Sequence, residues 1–217
     1  MRAITRHFRD PFPALSHWLG AGLALVGLVV LVETAGSKPW AMMAAVIYGV
    51  SLVGLFTASA FYHTALCSEE HAERLVRFDY TAIFLLIAGT YTPICILGIK
   101  GGWGMGILIA EWSMAAVGIV WSFSAKECPP LVRVGMYIVM GWLVTLALGP
   151  TLRGLTGREV GWLAAGGAIY TLGAVVYATK RPDLWRGRFE SHDLWHSMVL
   201  AAAGCHYLTV QSLVSAT

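Results

Sequence analysis

The chain is predicted to be an all-α integral membrane protein, a bundle of seven transmembrane helices with a cytoplasmic N-terminus and an external C-terminus. Three observations predict this. Of the 217 residues, 57% are hydrophobic and only 12% charged, with a mean hydropathy of +0.67, a composition that suits lipid rather than water. Apolar runs recur near the length that a spanning helix needs, about 20 residues. Basic residues alternate between the loops, as insertion requires.

Taken in order, the expected spans are 14–33, 40–66, 79–99, 103–124, 131–150, 159–179 and 192–213. They fill the chain as one domain, 1–217, so any site must be built between helices. The first run follows the basic stretch "MRAITRHFRD", which has the shape of a secretory signal. It continues toward Glu33 without an A-x-A site, and an uncleaved first span is expected. In the third span, Pro93 within "GTYTP" is expected to kink the outer end of the helix. Trp18, Trp40, Trp103, Trp162 and Trp185 suit the two membrane interfaces.

Orientation follows from the fifteen Lys and Arg residues. Arg2, Arg6, Arg9, Arg74, Arg77, Lys126, Arg133, Lys180, Arg181, Arg186 and Arg188 fall on one side, which is therefore cytoplasmic. Only Lys38, Lys100, Arg153 and Arg158 fall on the other. The net charge of +3 reflects these anchors, and no basic helix points to a nucleic acid. Cys67, Cys95, Cys128 and Cys205 are spaced without a disulfide framework and are expected as free thiols.

Ionisable residues inside a membrane are costly and mark sites or internal partners. Here they are His17, His63, Asp79, Glu111, His192, Asp193, His196 and His206. His63 falls near the cytoplasmic end of the second span, just before "TALCSEEHAER", and Asp79 is expected to open the third at the same depth. The seventh begins on that side with "SHDLWH", where His192 and His196, at i and i+4, project from one helical face. Topology thus delivers imidazoles and a carboxylate to one layer. Three neutral imidazoles leave the fourth position of a tetrahedral zinc ion open, where the metal acidifies a water. Asp79 could hold or deprotonate that water. Ser59, four residues before His63 and about 6 Å deeper along the axis, could steady a developing oxyanion.

Other polar residues invite plainer readings. His17 is placed either as a partner of the metal ligands or as an interfacial histidine. Glu111, near the middle of the membrane, reads as an internally paired carboxyl or as part of a polar pocket. Asp193 is expected to cap its helix. His206, about 15 Å beyond His196 along the helix axis, is too far to share one ion.

The stretch "SAFYHT", then "RFDYTAIFLLIAGTYTP", then "SHDLWH", with "ALSHWLGAG" in the first span, resembles the hemolysin III branch of the progestin and adipoQ receptor (PAQR) family over nearly the whole chain. That resemblance implies a seven-helix fold with zinc near the cytoplasmic face, His63, His192 and His196 as its ligands, Asp79 against the zinc-bound water, and Ser59 beside it. Tyr80 and Thr81 stand where many bacterial relatives have His-Ser. Kinship with alkaline ceramidase-like hydrolases implies hydrolysis of a lipid amide or ester. Two readings stay open: a zinc-dependent hydrolase with a membrane lipid as substrate, in a bacterial cytoplasmic membrane, or a sensor, receptor or hemolysin-type pore whose zinc only ties helices together.

Overall fold

The computed structural model describes residues 8–124 and 128–217. Arg2, Arg6 and Lys126 of the basic side lie outside the described residues. Among those described there are eight α-helices and no β-strand: α1 (Pro11–Ala35), α2 (Pro39–Thr64), α3 (Glu69–Pro93), α4 (Gly102–Ser122), α5 (Pro130–Gly141), α6 (Leu148–Gly154), α7 (Gly157–Thr179) and α8 (Ser191–Ser215). They make seven spans long and apolar enough to cross a membrane, because a 3₁₀ stretch, Leu143–Ala147, joins α5 and α6 into one.

Helix starts are written in the sequence. Pro11, Pro39 and Pro130 occupy first-turn positions, where a missing N–H costs nothing and φ is already helical. α7 opens with a capping box: the Thr156 N–H donates to Glu159 Oε2 at 2.6 Å, and the Glu159 N–H donates to Thr156 Oγ1 at 3.3 Å. α8 opens with another, the Glu190 N–H donating to Asp193 Oδ2 at 3.0 Å, so Asp193 caps the helix as expected. This cap fixes the phase with which His192 and His196 project from α8.

One expectation needs correction: Asp79 does not open the third span. α3 begins at Glu69, ten residues earlier, which leaves Asp79 almost three turns inside the helix. The reason is local. Ser68 takes the extended N-cap conformation and Glu69 and Glu70 fill the first turn, where acidic groups face the positive end of the helix dipole. Hydropathy cannot see a charged helical extension. At the other end, Pro93 has no N–H to give, and the chain widens into a π-helical stretch, Ile94–Gly98, where the kink was expected.

The break between α5 and α6 frees backbone groups that lipid cannot satisfy. Tyr91 of α3 supplies both partners: its hydroxyl donates to the Gly141 carbonyl at 3.0 Å and accepts from the Val144 N–H at 2.9 Å. Elsewhere the spans are held by close packing, since lipid tails give helices no hydrophobic reason to associate. Gly20 shows how close. A Cβ there would stand 2.7 Å from Phe56 and 2.8 Å from Leu200, so α1, α2 and α8 meet tightly one turn beyond His17. α3 is the most enclosed span. The fifth span touches α7 only sparsely, which leaves room between them for a cavity.

Candidate metal centre

α2 carries Ser59 and His63 on one face, α3 carries Asp79, and α8 carries His192 and His196. The fold brings all five to the wall of a single cavity of about 510 Å³. Ligand atoms of His63, His192 and His196 lie within 4.8 Å of one another, and among the described residues this is the one such group of three or more His, Cys, Asp or Glu side chains. His192 Nε2 stands 3.2 Å from His196 Nε2. Two nitrogens bound at about 2.0–2.1 Å to one tetrahedral ion stand about 3.3 Å apart, so this edge already has the right length.

The outer nitrogens of two of these rings are engaged. His63 Nδ1 donates to Asp10 Oδ2 at 2.8 Å, which leaves Nε2 free to face the cluster. His196 Nδ1 lies 2.9 Å from His17 Nε2, and the two rings meet edge to face with centroids 4.3 Å apart. Partners of this kind fix the tautomer and aim of a ligating imidazole. Asp10 is tied twice, because its backbone N–H also donates to the His63 carbonyl at 3.0 Å. The hydrogen bond from His63 holds the Asp10 carboxyl below the usual carboxylate range. His17 therefore stands where an outer partner would.

Asp79 is not part of the three-histidine group. Asp79 and Ser59 both line the same cavity, so the pair forms a second polar feature of its wall. Glu111 stands apart. It is fully buried in α4, with neither carboxylate oxygen hydrogen-bonded, and does not border the cavity.

Two residues of this region were missed by sequence reasoning. Asp10 drew no reading of its own within the basic stretch before the first span; the only available signal was a short acidic side chain at the start of a helix on the same side as His63. Arg133 read as a topological anchor. It is nevertheless buried to 9% exposure, stacks over the Tyr80 ring with its guanidinium carbon 3.5 Å from the centroid, and lines the cavity. No ion pair engages it among the described residues.

Three imidazoles facing one point at a cavity between the spans, His63 and His196 buried and His192 exposed, define a class: a multi-pass membrane protein whose helices carry a histidine site fit for a metal ion. The sequence places it further. The pattern of the family described as Haemolysin-III related matches residues 6–207, and this chain belongs to that family. It is 32% identical over 199 residues to a Hemolysin-3 homolog of Bacillus subtilis, covering 91% of this chain and 90% of that one. It is 28% identical over 191 residues to the human Monocyte to macrophage differentiation factor, covering 86% and 76%. It is 25% identical over 228 residues to the Adiponectin receptor protein of Drosophila melanogaster, covering 88% and 48%. These relatives agree with the hemolysin III branch of the PAQR family.

Proposed function

We propose that this protein is a zinc-dependent hydrolase that cleaves an amide or ester of a membrane lipid at the cytoplasmic side of a bacterial cytoplasmic membrane. The observation that carries the reading is the convergence of three imidazoles with Asp79 and Ser59 on the wall of a cavity that also presents apolar side chains such as Leu55, Ile83, Val160 and Val199. That arrangement admits a hydrocarbon chain beneath a polar reacting group.

His63, His192 and His196 would hold the ion, with Asp10 and His17 keeping two of the rings in the ligating tautomer. When bound, the ion supplies Lewis acidity toward a carbonyl and lowers the pKa of a water. The remaining steps belong to the chain. Asp79 takes the proton as water oxygen bonds to the carbonyl carbon, then returns it to the leaving nitrogen or oxygen as that bond breaks. Ser59, on the same cavity wall as Asp79, can orient that carboxylate or turn its hydroxyl to the developing oxyanion. Arg133, with unpaired donors beside the cavity, meets the polar end of the substrate.

The test is metal content and turnover of detergent-purified protein, with fluorescent ceramides and lipid esters as substrates. The expected result is about one zinc per chain in the parent, lost with each of His63→Ala, His192→Ala and His196→Ala, and turnover lost but metal kept in Asp79→Asn. A folded parent without stoichiometric metal sinks the reading. Stoichiometric metal without turnover of any amide or ester leaves a sensor or receptor with a structural zinc.

A further inference from the structure

The connection between α7 and α8, residues 180–190, lies on the side of the bundle that carries the histidines and has a fold of its own. Trp185 and Phe189 pair in both directions, the Trp185 N–H donating to the Phe189 carbonyl at 2.9 Å and the Phe189 N–H to the Trp185 carbonyl at 2.8 Å. Gly187 makes the turn at φ 74°, a conformation that favours glycine. The acidic side chains here turn inward to backbone donors: Asp183 Oδ1 accepts from the Ser191 N–H at 3.1 Å, Glu190 Oε1 from the Gly187 N–H at 3.0 Å, and Asp193 caps α8. The basic ones do not. Lys180, Arg181, Arg186 and Arg188 are exposed, and among the described residues none of the four is ion-paired. Arg188 lies over the Trp185 ring with its guanidinium carbon 4.6 Å from the centroid. Leu184 and Trp185 are 62% and 60% exposed. The element is fixed in place by Phe189, which meets Phe12 of α1 edge to face with centroids 5.0 Å apart.

Water does not suit Leu184 and Trp185, and hydrocarbon does not suit four cations. The boundary between them suits both, since apolar and aromatic side chains enter the edge of the hydrocarbon while Lys and Arg meet the headgroups. Cations held there are drawn to an anionic leaflet and gain little from a zwitterionic one. We propose that residues 180–190 form a binding element for anionic lipid headgroups, in which Arg186 and Arg188 meet the phosphate while Leu184 and Trp185 seat the chain beneath it. The same element runs into the cap of α8 and packs on Phe12, two residues beyond Asp10, so the lipid is held beside the metal centre. This assignment does not depend on what the histidines bind or on whether the protein is a hydrolase.

The test uses the full-length protein in phosphatidylcholine vesicles that contain either brominated phosphatidylglycerol or brominated phosphatidylcholine. Bromine placed near the top of the chain quenches adjacent tryptophans, and the difference between each protein and its Trp185→Phe counterpart isolates Trp185. At low ionic strength the brominated phosphatidylglycerol should occupy this position about 5-fold or more in preference to brominated phosphatidylcholine, the worth of a single cation at a charged surface. The preference should shrink as salt is added. Arg186→Gln with Arg188→Gln should abolish it while quenching by brominated phosphatidylcholine persists, which shows that the element still reaches the interface. Arg153→Gln with Arg158→Gln removes the same charge from the opposite end of the bundle and should leave the preference intact. Equal quenching by the two lipids in the parent, or none by either, overturns the proposal. So does a preference that survives the first pair of substitutions or is lost equally with the second. Loss of the preference on adding inorganic phosphate at fixed ionic strength also overturns it, since the element would then be a site for a free anion.

Discussion

Asp10 offers a sharp test of the metal centre because it touches only one ligand. Replacing it with alanine removes the acceptor 2.8 Å from His63 Nδ1 and leaves the backbone bond from residue 10 to the His63 carbonyl in place, so α1 and α2 should stay docked. A hydrogen bond to a charged group is worth about 1.5–3 kcal/mol, and outer partners of ligating histidines are worth about 10- to 100-fold in metal affinity. Asp10 is 41% exposed, so water and salt screen the pair and the lower half of that range applies. Asp10→Ala is thus predicted to weaken zinc binding about 10- to 30-fold, or about 1.4–2 kcal/mol. Asp10→Asn, which keeps a neutral acceptor, should fall between alanine and the parent. The assay is competition against a chelator of known affinity, alongside thermal melting of the metal-free proteins. An affinity within about twofold of the parent would refute the argument. So would metal-free melting that collapses in step with affinity, since Asp10 would then hold the helices rather than the ligand.

Three other outcomes follow from the same geometry. Stripping the metal should lower the melting temperature of the parent, because an ion that binds only the folded state stabilises it by about 4 kcal/mol at a thousandfold excess over its Kd; a melting curve indifferent to chelator would argue that the histidines simply hydrogen-bond one another. Arg133→Gln should retain metal and the Asp79-dependent step but raise KM by about tenfold or more, the loss of a charged donor to a polar substrate group. If kcat falls and KM stays put, Arg133 acts on the reaction rather than on binding. Glu111→Leu removes an enclosed carboxyl that has no partner and should leave metal content untouched while stabilising the fold by about 1 kcal/mol or more. Lost metal in that variant would place Glu111 in the centre after all.

The spans were legible because each needs a long apolar run, and the histidine layer because i, i+4 spacing and span direction set where side chains emerge. What escaped was amphipathic or tertiary. The first ten residues of α3 are too charged to register as membrane helix, so Asp79 was placed at a helix start instead of three turns in. The Asp10–His63 pair joins residues 53 positions apart, and no local pattern announces it. Arg133 was misread for the opposite reason: it fits the positive-inside rule so well that its burial over Tyr80 left no trace in the sequence. The outer nitrogen of an imidazole is likewise invisible until a neighbouring span supplies its partner, as α1 does for His63 and His196 together.

The arrangement also bears on whether the metal would be structural or catalytic. A closed site would draw a fourth protein ligand from the nearest acid. Of the two carboxylates on the same cavity wall, Asp10 is committed to the outer nitrogen of His63, and Asp79 is not part of the three-histidine group. Three imidazoles alone leave one position open, and the histidines stand on the wall of a cavity large enough for an acyl chain rather than sealed in the bundle. A structural ion would gain nothing from that opening, and the sparse packing between the fifth span and α7 that creates it costs the fold van der Waals contacts. On the proposed reading, that packing is given up to keep the site open to a lipid. A variant that fills the gap, such as Gly167→Leu on the cavity wall of α7, should therefore raise the melting temperature or leave it unchanged while abolishing access of the fluorescent lipid substrate. If it leaves access intact, the entrance lies elsewhere and the open coordination position faces water instead.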